Sequence, residues 1–81
     1  MTQQLTVYVR RGCHLCTEMT QALERLRPEF GFSVTLVDID ADPELVRLYN
    51  TRVPVLVAEG EEICYYFLEE QRLRVHLQGG G

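Results

Sequence analysis

The sequence predicts a single α/β domain of order βαβαββα, with a four-stranded mixed sheet and helices on both faces. Three observations carry that reading. Short β-branched runs alternate with stretches of helical periodicity, the first two runs stand far enough apart for a helical crossover, and the last two are separated only by Glu59-Gly60-Glu61. A crossover of that length makes a right-handed parallel pair, whereas the tight turn makes an antiparallel hairpin.

The first strand is Leu5 to Val9 (LTVYV), apolar and β-branched, closed by Arg10-Arg11-Gly12. A helix follows from His14 to about Pro28. Along it Leu15, Met19, Ala22, Leu23 and Leu26 form one apolar stripe, and Pro28 with Gly31 is expected to end it. Ser33 to Ile39 (SVTLVDI) is the second strand. Asp42 then offers an N-cap and Pro43 suits a first helical position. Glu44 complements the helix dipole, and Leu45 with Leu48 or Tyr49 is the expected buried face of a helix ending near Asn50. Pro54 to Ala58 and Glu62 to Phe67 are the hairpin strands. Leu68 to Leu77 is a last, weaker helix, followed by a flexible Gly79-Gly80-Gly81 tail. The domain is therefore expected over residues 1–78 and the tail over 79–81.

Eighty-one residues with 46% apolar and 25% charged side chains suit one ordinary globular domain. Its expected radius of gyration is about 12 Å. No apolar run approaches the roughly 20 residues that span a bilayer. Met1 to Thr6 has neither a basic region nor the apolar run of a signal peptide, so a cytoplasmic, monomeric protein without membrane contact is expected. All basic residues are arginine, eight against twelve acids, for a net charge of −4. That balance builds no basic face for a phosphate backbone, which argues against nucleic acid as a partner.

Three cysteines do not make a secreted disulfide framework, but Cys13-His14-Leu15-Cys16 stands where a strand hands over to a helix. Cys13 then falls at the helix start, where unpaired N–H groups and the positive end of the dipole favour a thiolate. Arg10, Arg11 and a protonated His14 are candidates to add to that field. Lowering a thiol pKa from about 8.5 to about 7 needs only about 2 kcal/mol of preferential thiolate stabilisation. The spacing also permits a disulfide, with Cys13 attacking and Cys16 resolving. A metal site is the other reading of C-x-x-C. A zinc ribbon needs a second pair where only Cys64 remains, and a haem site needs histidine where Thr17 stands.

Other candidates have plainer readings. Cys64, between Ile63 and Tyr65, reads as a small buried apolar side chain. The seven aromatics Tyr8, Phe30, Phe32, Tyr49, Tyr65, Tyr66 and Phe67 read as core or half-buried sheet residues. His76 suits a helix C-terminus. The alternation Asp38, Asp40, Asp42, Glu44 fits a strand end running into an N-cap better than a cation site. In Arg52-Val53-Pro54 the proline opens a strand, where its missing N–H does no harm. A trans bond satisfies that position, and so does a cis bond that exposes the Val53 backbone to an extended partner.

Strand, C-x-x-C at a helix start, crossover, then Val53-Pro54 leading into a hairpin and a last helix together resemble the glutaredoxin branch of the thioredoxin fold. The resemblance covers nearly the whole chain. Gly12-Cys13-His14-Leu15-Cys16 on so short a chain is similar to small bacterial glutaredoxin-like proteins. It implies a thioredoxin-like fold, a cis Val53-Pro54 bond, Cys13 as nucleophile and Cys16 as resolving cysteine. Arg10 falls where many glutaredoxins carry a lysine, which implies a contact with a substrate carboxylate, and Arg52, which replaces a threonine beside Val53 and Pro54, is expected with those two to bind substrate. Glutaredoxins place Pro-Tyr between the cysteines, where this chain has His14-Leu15. A histidine next to the nucleophile implies a stabilised thiolate and a more oxidising pair. Phe67-Leu68-Glu69-Glu70 stands where that family holds the γ-glutamyl carboxylate of glutathione, and its two acids disfavour one.

The expected function is thiol-disulfide exchange through a Cys13/Cys16 dithiol. The partner is a protein disulfide or thiol, or a low-molecular-weight thiol such as glutathione as co-substrate, and no resident cofactor or metal is needed. The alternatives are a metal or iron-sulfur module held by the C-x-x-C and a thioredoxin-fold interaction domain without catalysis.

Overall fold

In the computed structural model, which describes residues 3–79, the central strand β1 (Gln4–Val9) is bonded on both sides. It pairs in parallel with β2 (Ser33–Asp38), from Gln4↔Ser33 to Val9↔Asp38, and antiparallel with β3 (Val55–Ala58), from Leu5↔Ala58 to Tyr8↔Val55. β4 (Glu61–Tyr65) closes the far edge, giving a four-stranded sheet of order β2-β1-β3-β4. The mixed sheet with crossover and hairpin is the one the sequence predicts.

Period-two alternation divides β1 between two faces. Leu5 and Val7 are wholly buried on one, together with Leu56 and Ala58 opposite them. That face carries α1 (His14–Phe30) through Met19, Leu23 and Leu26, and α3 (Glu70–Gly79) through Leu73 and Leu77, with Phe32 completing the core. Tyr8 points to the other face, where it stacks on Tyr49 of α2 (Pro43–Tyr49), ring centroids 4.6 Å apart. Helices thus cover both faces. The radius of gyration is 12.1 Å.

Several ends differ from expectation, each for a local reason. α1 does not stop at Pro28 but runs to Phe30, which packs against the core. Gly31 then closes the helix at φ 74, donating its N–H to the Arg27 carbonyl at 2.7 Å. Pro28 forfeits only one late helical bond. β2 stops at Asp38 rather than Ile39, because the Asp38 carboxylate accepts the Asp40 N–H at 2.9 Å and turns the chain into a 3-10 segment, Ile39–Ala41. Ile39 anchors that segment with no exposed surface.

α2 starts as its sequence dictates, with Asp42 accepting the Glu44 N–H at 2.9 Å and Pro43 in first position. Of its expected buried face, Leu45 and Tyr49 are half-buried, but Leu48 is exposed. So short a helix presents only Tyr49 and its neighbours to the sheet. β3 begins at Val55, one residue after the proline that has no N–H to give.

The hairpin turns on Glu59 and Gly60, at φ 52 and 78, the two positive values of a type I′ turn. A register shift between Leu56 and Val57 puts Ile63 and Cys64, consecutive residues of β4, both into the core. β4 ends at Tyr65 and not at Phe67, because Tyr66 takes φ 66 and breaks the strand. α3 accordingly starts at Glu70, two residues later than expected from Leu68. Tyr65, Tyr66 and Phe67 are exposed, Phe67 by 64%, so the expectation of burial fails at the corner where this strand turns out of the sheet. α3 reaches Gly79, one residue into the expected tail, and residues 80–81 lie outside the described residues. Among the described residues no helix is long and apolar enough to cross a membrane.

Two stability outcomes follow. Glu59→Asn is expected to stabilise the domain by up to about 1 kcal/mol, since asparagine adopts the left-handed region at lower cost than glutamate. For a domain of this size that reads as a rise of about 4–8 °C in Tm. Leu73→Ala removes a fully buried side chain from between α3 and the sheet and is expected to cost about 2–5 kcal/mol, measured by urea unfolding.

Candidate functional site

β1 delivers the chain into a tight turn at Arg10-Arg11-Gly12-Cys13, closed by a bond from the Cys13 N–H to the Arg10 carbonyl at 3.2 Å. Gly12, at φ 77, supplies the positive angle that such a turn needs at its third residue. Cys13 is therefore the N-cap of α1, with extended backbone, and its Sγ accepts the Cys16 N–H at 3.0 Å. Thr17 donates its N–H to the Cys13 carbonyl at 3.3 Å. The sulfur thus sits among the helix's unpaired N–H groups, and no acidic residue lies in the first turn.

One turn on, Cys16 faces Cys13 with Cα atoms 5.2 Å apart, and the two form a disulfide. Cys16 is 5% exposed, whereas Cys13 is half-buried. Beside the pair lies an open cleft of about 510 Å³, lined by Val9, Arg10, Gly12, Cys13, Cys16, Thr17 and the exposed edge residue Leu36, among others. On the opposite flank, Val55 pairs with Tyr8, so Val53 and Pro54 lie at the same end of the sheet as the Cys13 turn. The Val53–Pro54 peptide bond is cis. The Pro54 carbonyl accepts the Tyr66 N–H at 2.9 Å, and among the described residues the Val53 N–H and C=O take no backbone partner.

The remaining candidates are placed less uniformly. His14 is solvent-exposed, with Nε2 3.4 Å from the Glu18 carboxylate one turn along. Arg11 is exposed on the turn. The Arg10 guanidinium, an expected receptor for a substrate carboxylate, is already held by one of the chain's own: Nε and Nη2 bind Asp40 at 3.0 and 2.8 Å, and Nη1 binds the Asn50 side-chain oxygen. Those bonds hold the Asp40 carboxyl below its ordinary value and raise Arg10. Arg52 is also engaged. It donates to both Glu62 oxygens, at 2.7 and 2.8 Å, and to the Leu48 carbonyl, and its guanidinium lies over the rings of Tyr49 and Tyr65. Its charge is committed to the α2 side of the sheet and it does not line the cleft.

Sequence reasoning missed the roles of Asp40, Asn50, Glu62 and Tyr66 at the site. The first three meet their arginines across 30, 40 and 10 residues, where no local pattern reports the contact. Tyr66 gave no signal because bulky residues rarely take φ above zero. Among the described residues no three His, Cys, Asp or Glu side chains are grouped to hold a metal. Cys64 is buried in the core, and burial pushes its thiol pKa up.

Known proteins match this arrangement along nearly its full length. An uncharacterised protein of Mycobacterium tuberculosis, Rv0508, is 30% identical over 79 residues, covering 91% of this chain and 81% of its own. The solution structure of Ne2328 from Nitrosomonas europaea superposes with a TM-score of 0.88 at 42% identity, covering 94% of this chain and 92% of that one. The thioredoxin of Fasciola hepatica superposes at 0.63 with 21% identity over 99% of this chain and 82% of its own, a likeness of fold. The model of the Glutaredoxin-like domain (DUF836) matches residues 4–78, and the chain belongs to that glutaredoxin-like family of the thioredoxin fold.

Proposed function

We propose that the protein is a thiol-disulfide oxidoreductase whose working pair is Cys13 and Cys16. The observation that carries this reading is the asymmetry of the pair, one sulfur at a helix N-cap and partly open, the other buried one turn inside. Helix N–H groups lower the thiol pKa of the first and raise its thiolate fraction, while burial keeps the second for the intramolecular step.

The Cys13 thiolate attacks one sulfur of a partner disulfide, forming a mixed disulfide and releasing the partner's other sulfur as thiolate. Cys16 then gives up its proton and attacks the Cys13 sulfur. The second partner thiolate leaves, two electrons have passed to the partner, and the Cys13–Cys16 disulfide remains. The free Val53 N–H and C=O pair with an extended partner segment, main chain to main chain. A polypeptide fits better than glutathione, because Glu69 and Glu70 stand where α3 begins and disfavour a carboxylate there. In a reducing compartment such as the cytoplasm, glutathione or a reductase regenerates the dithiol.

Equilibration in graded glutathione buffers, with alkylation trapping and intact mass, is expected to give a two-electron couple between about −120 and −300 mV. A pair that forms no disulfide, or a mass that carries a metal, overturns the reading in favour of a binding module. Cys16→Ser is expected to accumulate mixed disulfides with partner proteins in cell extract. Cys13→Ser is expected to trap none; the reverse pattern exchanges the two roles.

Cys64 gives an internal control. Its raised pKa keeps it protonated at neutral pH, so brief alkylation of the folded, reduced protein is expected to modify Cys13 first and Cys64 only after denaturation. Peptide mapping of the adducts checks the order.

A further inference from the structure

The turn that presents Cys13 is held by side chains from two distant segments. Asp40 is itself positioned, since its N–H is bound by Asp38 and its neighbour Ile39 is wholly buried. From there its carboxylate grips Arg10 through Nε and Nη2, while Asn50, at the end of α2, takes Nη1. The Arg10 carbonyl in turn receives the Cys13 N–H. The ionisable neighbours of this turn are Arg10 and Arg11 within it, His14 and Glu18 on α1, Asp38 at the end of β2 and Asp40 in the 3-10 segment. His14 is drawn toward Glu18, which leaves Arg10 and Arg11 as the cations of the turn.

We infer that Asp40 is a positioning residue that tunes the Cys13–Cys16 pair through Arg10. Arg10 lines the same cleft as Cys13, and by cancelling its charge there the Asp40 carboxylate keeps the reduced thiolate less stabilised and the pair more reducing than the arginines alone would make it. The inference rests on the oxidoreductase reading. Its direction follows from the redox balance: only the dithiol carries a thiolate, so added positive charge favours the reduced form and makes the disulfide a stronger oxidant.

The test compares wild type with Asp40→Asn, Arg10→Gln and the double variant. For each, the Cys13 pKa is read from alkylation rate against pH, and the equilibrium with glutathione by trapping and mass. Asp40→Asn leaves a net positive charge and is expected to lower the pKa and shift the equilibrium toward the dithiol by about threefold, the scale of one unit charge acting through partly solvated surroundings. Arg10→Gln leaves Asp40 unbalanced and is expected to shift both quantities the other way. The double variant restores neutrality and is expected to return within about twofold of wild type.

Opposite shifts that cancel cannot arise from loss of structure, which moves all three variants the same way. Shifts in one direction only, or none in a wild type that exchanges normally, overturn the inference and leave the oxidoreductase reading standing. A wild type with no two-electron couple overturns both.

Discussion

Pairing of β1 on both sides is the constraint on which the rest depends. A central strand has no free edge, so it pairs with β2 on one side and β3 on the other, and its side chains must serve two faces at once. Leu5 and Val7 hold α1 and α3 on one face, and Tyr8 holds α2 through Tyr49 on the other. A one-residue slip of β1 would exchange those faces, which fixes the register strongly. The same register fixes where the strand ends. Cys13 comes off β1 four residues after Val9, and Pro54 enters β3 just before the partner of Tyr8, so one pairing places both flanks of the site.

Charge is distributed so that this placement acts in a nearly neutral setting. Six of the eight arginines are ion-paired among the described residues: Arg10, Arg27, Arg47, Arg52, Arg72 and Arg74. Exposed pairs of this kind contribute about 0–1 kcal/mol each, so their main effect is on the field and not on stability. Arg74 is the most structural, joining Glu29 of α1 to Glu70 of α3 across Phe30. With Arg10 paired to Asp40, the helix N-terminus and the exposed Arg11 are left as the positive influences on Cys13. That of the helix is short-range, confined to the first turn, and a small charge change nearby therefore has leverage on it.

The fold was largely legible because its determinants are local or periodic. LTVYV, the stripe of Met19, Leu23 and Leu26, the Asp42-Pro43 start and the Glu59-Gly60 turn each announce one element, and the crossover and hairpin lengths settle how they pair. Illegible were the features in which tertiary contact overrides a local signal. Phe30 carries α1 past a proline because the core accepts its ring. Tyr66 breaks a run that reads as continuous strand. At the site, the C-x-x-C and its helix start were readable from spacing alone. The fate of Arg10 and Arg52 was not, since a free guanidinium and one clasped by a carboxylate 30 residues away have the same sequence signature.

Tyr66 also shows how the second flank of the site is kept ready. Its N–H binds the Pro54 carbonyl and its hydroxyl donates to the Thr51 carbonyl, so one residue ties down the chain on either side of Val53. Arg52, between those ties, is clasped by Glu62 and the Leu48 carbonyl. Three anchors around one residue hold Val53 still while leaving its own N–H and C=O unbonded to backbone. A positive φ at Tyr66 costs about 1–2 kcal/mol relative to ordinary backbone, and the two bonds it makes offset that cost. What the strain secures is preorganisation: in the proposed exchange, a partner strand pairing with Val53 would not have to order the loop it binds, so less of its interaction free energy would be lost on association.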